Sequence, residues 1–240
     1  MKHLFAAKLA KPISTALRMS VVVALSLMPV SLPAYAQEDL GTLDDLLPPS
    51  PGAWKKRSMT GRVQLFDNIL LYPLPVWSNV ANGAAPAERS KIRTANRDGL
   101  YQMSMVPHDE EFTGWENLFT VTAHQKDPRP VMQQGHLVMQ QFQAVCSPSN
   151  MQVFKVHASP TTLVQVIACG NYSRDRSKGQ MAAVVTRRNQ SGLVTMTRQW
   201  RTAPFQSKIQ SNWPIPKSEL DGVLRELSRS KLIPSKKKQG

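Results

Sequence analysis

The side chains in this 240-residue chain that could do chemistry are few and widely spaced. Cys146 and Cys169 are its only cysteines. A redox pair would usually show a close Cys-x-x-Cys, which is absent, and no tight Cys/His ligand spacing marks a metal site. An even pair in an oxidising compartment favours a structural disulfide instead. His108, His124, His136 and His157 fall in no His-Glu-x-x-His or comparable pattern, so neither metal nor cofactor is expected. There is no Gly-x-Ser-x-Gly elbow, phosphate-cradling glycine loop or dinucleotide fingerprint. Asp109, Glu110 and Glu111 could include a general acid. Three adjacent carboxylates ahead of a strand read more simply as a solvated turn, and no catalytic residue is assigned.

Basic side chains are the other candidates. The formal net charge is +14. Lys91, Arg93 and Arg97 make the stretch Ser78–Gly99 locally basic, and Asn82-Gly83 and Asp98-Gly99 within it are turn signals. At about twenty residues it is long for a connection in a compact domain, and it is expected as a mobile or functional loop. Arg198 and Arg201 lie among apolar and aromatic residues of a strand. They could contact an anion or a partner, or stack on aromatics and cap the core. Lys236, Lys237 and Lys238 form a terminal basic cluster that could meet an anionic polymer. Aromatics are few and Lys/Arg are scattered rather than interleaved with stacking residues, which argues against nucleic acid.

The elements that must position these groups begin with an expected signal peptide at 1–36. Lys2, Lys8, Lys11 and Arg18 supply its positive region, Val21–Val30 its apolar run, and Ala34-Tyr35-Ala36 its small-x-small cleavage pattern. The apolar run is shorter than the roughly 20 residues that span a bilayer. Cleavage near Ala36-Gln37 would leave a mature chain of charge +10, periplasmic or secreted, with no integral membrane segment. Residues 37–61 read as an extended arm, acidic at Glu38, Asp39, Asp44 and Asp45 and proline-rich at Pro48, Pro49 and Pro51. Residues 62–231 read as one domain, and 232–240 as a basic tail.

Within the domain, Val63, Leu65 and the Ile69-Leu70-Leu71 run predict one or two strands, and alternation predicts strands over Leu100–Val106 and Trp115–His124. Val131, Gly135, Val138, Met139, Phe142, Val145 and Cys146 recur at helical spacing, so a helix with one apolar stripe is expected over Val131–Cys146. Met151–His157 and Thr162–Cys169 form a predicted hairpin. The second of these runs is apolar on both faces, which requires cover on both sides, and Cys169 lies on the face the helix stripe would cover. The stripe ends in Cys146, so the two sulfurs meet. A disulfide closing about 24 residues contributes on the order of 3 kcal/mol in the chain-entropy model. Gln180–Arg188 and Leu193–Arg201 make a further hairpin, and Ser218–Ser230 a closing helix with Ser218 as its expected N-cap. The fold class is therefore α+β: a mainly antiparallel twisted sheet of six to eight strands, covered by one central helix, with a C-terminal helix.

Trp115-Glu116-Asn117-Leu118-Phe119-Thr120-Val121, the cysteines at 146 and 169, Gly179 and the closing Trp200-Arg201 resemble a loose group of secreted proteobacterial proteins. In that group a Trp-x-x-(apolar)-x-Thr-Val strand precedes a helix and a cysteine pair. The resemblance covers about Phe112–Pro204 and implies the same fold and disulfide. It brings no catalytic residue and no activity. The function expected from these readings is a non-catalytic accessory or binding protein of the cell envelope that acts through protein contacts. Two alternatives stand beside it: a periplasmic hydrolase whose site is assembled from distant residues, and a basic component of a DNA-uptake or conjugative-transfer machinery.

Overall fold

A computed structural model describes residues 60–78 and 89–235. The expected leader, the arm through residue 59, the turn at Asn82-Gly83 and Lys236–Lys238 lie outside the described residues. The fold is α+β, with two antiparallel sheets and two α-helices among the described residues. The larger sheet has seven strands: β3 (Ser90–Arg97), β4 (Leu100–Pro107), β5 (Asn117–Gln125), β6 (Met151–Ala158), β7 (Thr162–Cys169), β8 (Gly179–Asn189) and β9 (Gly192–Thr202). Their spatial order is β3-β4-β5-β9-β8-β7-β6. The smaller sheet joins β1 (Thr60–Leu65), β2 (Asn68–Pro73) and β10 (Lys231–Pro234) in the order β1-β2-β10. Helix α1 (Val131–Gln143) lies between β5 and β6 in the chain, and α2 (Lys217–Ser228) precedes β10.

Strand β7 shows why the layers sit where they do. Val164, Val166 and Ala168 are fully buried on one face, in a core shared with Leu65, Leu70 and Tyr72 of the small sheet and Leu220, Leu224 and Leu227 of α2. Ile167 and Cys169 are buried on the other face with Val138 and Phe142 of α1. A strand with apolar residues on both faces needs two covering layers, and it has them. Each fully buried Val, Leu, Ile or Phe side chain contributes about 1.5–3 kcal/mol of transfer free energy.

Helix α1 approaches the sheet closely because Gly135 has no side chain. A Cβ built there would lie 2.1 Å from Leu163 Cδ2 and 3.2 Å from Gln165 Oε1. Gln165 Nε2 instead donates to the Gly135 carbonyl at 3.3 Å, which satisfies the one polar side chain β7 turns toward the helix. Cys146 and Cys169 then bring their sulfurs to 2.11 Å, with Cα atoms 5.7 Å apart. The helix itself ends at Gln143, three residues short of Cys146, which pairs with Tyr172 in a short antiparallel bridge.

Three expectations are corrected. Ser78–Gly99 is not one long loop: Ser90–Arg97 is an edge strand, turned into β4 through Asp98 (φ 51°) and Gly99 (φ 75°). It lacks hydrophobic alternation because every residue from Ile92 to Arg97 is exposed, as befits an edge protected by charge. Residues 232–234 are not tail but part of β10, where Leu232 pairs with Leu70 and Ile233 with Ile69. Ser218 does not cap α2. The helix starts at Lys217 behind Pro216, whose carbonyl accepts from Glu219 N and Leu220 N, and Asp221 accepts from Lys217 Nζ at 2.7 Å.

Candidate functional site

Helix α1 packs chiefly on β6, β7 and β8. The same sheet face continues across β9, β5, β4 and β3, and the register shows what it presents. One cross-strand row runs Arg93, Ser104, Thr120, Thr197. The next runs Ala95, Gln102, Thr122, Thr195. With strands about 4.8 Å apart, the floor from β3 to β9 is about 14 Å wide. Between this floor and the flank of α1 lies a groove of about 440 Å³, lined by Leu118, Thr120, Thr122, His124, Gln134, Val138, Phe142, Gln180, Thr197 and Gln199 among others. A second hollow of about 290 Å³ adjoins it through Gln102, Ser104 and Leu118 and reaches Arg93, Phe112 and Trp115. None of these lining residues is a carboxylate.

The polar groups of the groove are ordered by one another. Tyr172 Oη donates to Gln180 Oε1, and Gln180 Nε2 donates to Gln199 Oε1 at 2.6 Å. That chain fixes Gln199 Oε1 as an acceptor and leaves its amide nitrogen as a donor. Thr120 and Thr197 share a hydroxyl–hydroxyl bond of 2.5 Å, so whichever hydroxyl accepts keeps its own proton available. Thr186 and Thr195 are paired in the same way at 3.2 Å. Gln134, on the wall formed by α1, is only 6% exposed, and its Oε1 has no hydrogen-bond donor among the described residues. A buried acceptor left empty costs about 1–3 kcal/mol, so it needs a reason.

His124 lies at one end of the groove. Burial first, and the nearby Arg129 cation second, hold its pKa below the usual histidine value, against the opposing pull of Asp127. Its Nδ1 is 3.9 Å from Asp127 Oδ2, too far for a hydrogen bond. Asp127 is instead gripped by Arg129, whose Nε lies 2.9 Å and 2.8 Å from its two oxygens. That bond holds the Asp127 carboxyl below its ordinary range.

The basic residues singled out from the sequence divide between the two faces. Lys91, Arg93 and Arg97 share the groove's face on β3, because they stand opposite Val106, Ser104 and Leu100. Lys91 pairs with Glu111 and Arg97 with Asp98, while Arg93 has no acidic partner among the described residues. Arg201 is on the same face of β9; its guanidinium stacks 4.0 Å above the Trp115 ring, and Nη1 donates to the Trp115 carbonyl at 3.3 Å. Arg198 is on the opposite face and only 9% exposed. Its guanidinium lies 3.9 Å from the Trp77 ring centre and 4.9 Å from that of Trp200. Its Nη2 donates to Asn117 Oδ1 at 2.8 Å. Burial lowers its pKa to about 9, partly offset by Glu219 and Glu110, and the group stays charged at neutral pH. Cys146 and Cys169 lie under α1, in the covered half of the groove's face.

Asp109-Glu110-Glu111 is more ordered than a solvated turn. Glu110 accepts from Glu116 N, Asn117 N and Asn117 Nδ2 at 2.7–2.8 Å, which pins the loop carrying Trp115. No group of three or more His, Cys, Asp or Glu residues that could hold a metal ion occurs among the described residues. No helix among them is long and apolar enough to cross a membrane.

The groove residues were not marked by the sequence. Thr120, Thr122, Thr195, Thr197, Gln180 and Gln199 sit at alternate positions of three strands, and each set reads alone as a solvated face. The available signal was that this face carries no Lys, Arg, Asp or Glu over β4 and β5 and none on β9 before Arg201, where a solvated face would carry Lys and Glu.

No family model matches the chain, and no curated protein matches it. Among solved structures it is similar to a mutant of the protein Mog1, at 11% identity and a TM-score of 0.42, over 73% of this chain and 97% of that one. That likeness is too low to bear on function.

Proposed function

We propose that this is a non-catalytic accessory protein of the cell envelope that works by holding a partner against the open face of its seven-stranded sheet. The observation that carries this reading is the preformed groove beside α1, floored by hydroxyl and amide groups already fixed by hydrogen bonds. Preorganised polar groups in a cleft are what a binding site requires. The groove's one imidazole is not aligned for acid–base work, since its nearest carboxylate is held by Arg129. The cysteine pair at disulfide distance and the leader-like residues 1–36 support a location outside the cytoplasm. Protein contact is the second reading for β3, an exposed charged edge whose Ile92 is 49% exposed.

The test is site-specific photo-cross-linking of the exported protein in cells. A cross-linker at Gln102, in the groove floor, should capture an envelope component, and one at Ser218, on exposed α2 across the sheet, should not. Equal capture from both positions, or none from Gln102 together with turnover of a generic ester, glycoside or peptide substrate, would defeat the proposal.

A further inference from the structure

Resting on that reading, we infer that the groove is a saccharide site: it takes an oligosaccharide whose hydroxyl and amide groups lie over the β4–β5–β9 floor and whose carboxylate meets Arg93. The donor–acceptor pattern selects the ligand chemistry. Gln102 and Gln141 line the groove, and each amide offers both a donor and an acceptor. Gln199, fixed by the Tyr172–Gln180 chain, offers a donor and needs an acceptor. The Thr120–Thr197 pair leaves one more hydroxyl proton to donate. A carboxylate placed over the floor could only accept, and an ammonium could only donate; a sugar hydroxyl does both. Leu118, Val138 and Phe142 supply apolar surface between these groups for C–H faces and acetyl methyls.

An extended peptide fits less well. Peptides recognised by sheets add to a free strand edge and use its main-chain groups. The floor strands β4, β5 and β9 are each paired on both sides, so only their side chains are offered. The volumes, about 440 Å³ with an adjoining 290 Å³, fall in the range of small-ligand sites, about 300–1,000 Å³. Charge enters only at the rim. Lys91 and Arg97 are already paired, and Arg93, which lines the adjoining hollow, has no acidic partner among the described residues. The acidic group of the ligand therefore belongs at the β3 end.

Titration calorimetry of the exported full chain tests this with three probes: a tetrasaccharide alternating N-acetylglucosamine with glucuronate, a neutral N-acetylglucosamine tetramer, and hexaglutamate. The acidic tetrasaccharide should bind best, the neutral one several-fold more weakly, and hexaglutamate not measurably. Gln141→Leu should weaken the tetrasaccharide at least ten-fold while leaving the denaturation midpoint unchanged, because Gln141 lines the groove from an exposed position on α1. Arg93→Gln should bring the acidic probe down to the level of the neutral one. Failure of both saccharides to bind, full binding by Gln141→Leu, or hexaglutamate binding as well as the tetrasaccharide would overturn the assignment. If Gln102 cross-links solely to protein, the saccharide assignment falls and the envelope-binding role stands.

Discussion

Gly135 and Gly222 make a controlled comparison, because each is an internal helix glycine with a different neighbour. Alanine in place of glycine inside a helix gains about 0.8–1 kcal/mol from backbone propensity alone. At Gly222 in α2 a Cβ meets nothing within 4 Å, so that gain should be realised in full. At Gly135 in α1 the Cβ would lie 2.1 Å from Leu163 Cδ2 and 3.2 Å from Gln165 Oε1. Leu163 is 1% exposed and has little room to move, so either it leaves its rotamer or α1 lifts from the sheet. Overpacking of this kind costs about 1–3 kcal/mol. Gly222→Ala should therefore raise stability by about 1 kcal/mol, and Gly135→Ala should sit 1–3 kcal/mol below it. Urea unfolding of the two variants beside the parent, at constant slope, measures both. Equal shifts in midpoint would refute the claim that Gly135 sets the spacing of α1 on β7.

Three further predictions rest on separate contacts. Reducing the Cys146–Cys169 bond should lower stability by about 3.4 kcal/mol, from the chain-entropy relation applied to a sequence separation of 23; urea midpoints of the oxidised and reduced protein that coincide would contradict it. Arg198→Lys should destabilise more than Arg198→Met in the same assay, by about 1–3 kcal/mol, because a compact ammonium can neither lie between Trp77 and Trp200 nor shed its hydration as a guanidinium does. His124 has a folded-state pKa depressed below 6.5, so the folded protein binds fewer protons there than the unfolded chain. Stability should fall as pH drops below about 6.5, and His124→Gln should flatten that slope between pH 6.5 and 5; an unchanged slope in melts across this range removes His124 as its source.

Legibility followed burial. Strand β7 and helix α1 were readable because their apolar patterns are nearly pure: Val164, Val166, Ile167 and Cys169 admit one arrangement, and the α1 stripe through Val138 and Phe142 another. The cysteine pairing followed from placing those two elements face to face. Strand β3 was not readable, because Lys91, Arg93, Thr94 and Arg97 carry no alternation when both faces of an edge strand meet solvent. Strand β10 was hidden for another reason. Its four residues have no pattern of their own and are strand only because β2 offers an edge at Ile69–Leu71. The groove escaped because it belongs to no single segment. Its floor becomes a surface only once the order β4-β5-β9 is known, and that order places Thr120 beside Thr197 across 77 positions of sequence.

The asymmetry of the two sheet faces explains why a groove exists at all. An α-helix with its side chains is about 10–12 Å wide, which covers two or three strands at about 4.8 Å spacing. On one face α2 and the three-stranded sheet together bury a core that reaches from Met103 and Met105 of β4 to Phe154 and Val156 of β6. On the other face, among the described residues, the covering helix is α1, held over β6, β7 and β8 by Gly135 and the disulfide. Among the described residues no second helix lies on this face over β9, β5, β4 and β3, yet Thr120, Thr195 and Thr197 are themselves buried. Solubility alone is met most cheaply by Lys and Glu, whose charges also resist association. Here Lys91, Arg93, Arg97 and Arg201 keep the charge to β3 and the end of β9, and between them the floor carries threonine and glutamine drawn into mutual hydrogen bonds, with a buried glutamine oxygen on the wall that nothing described satisfies.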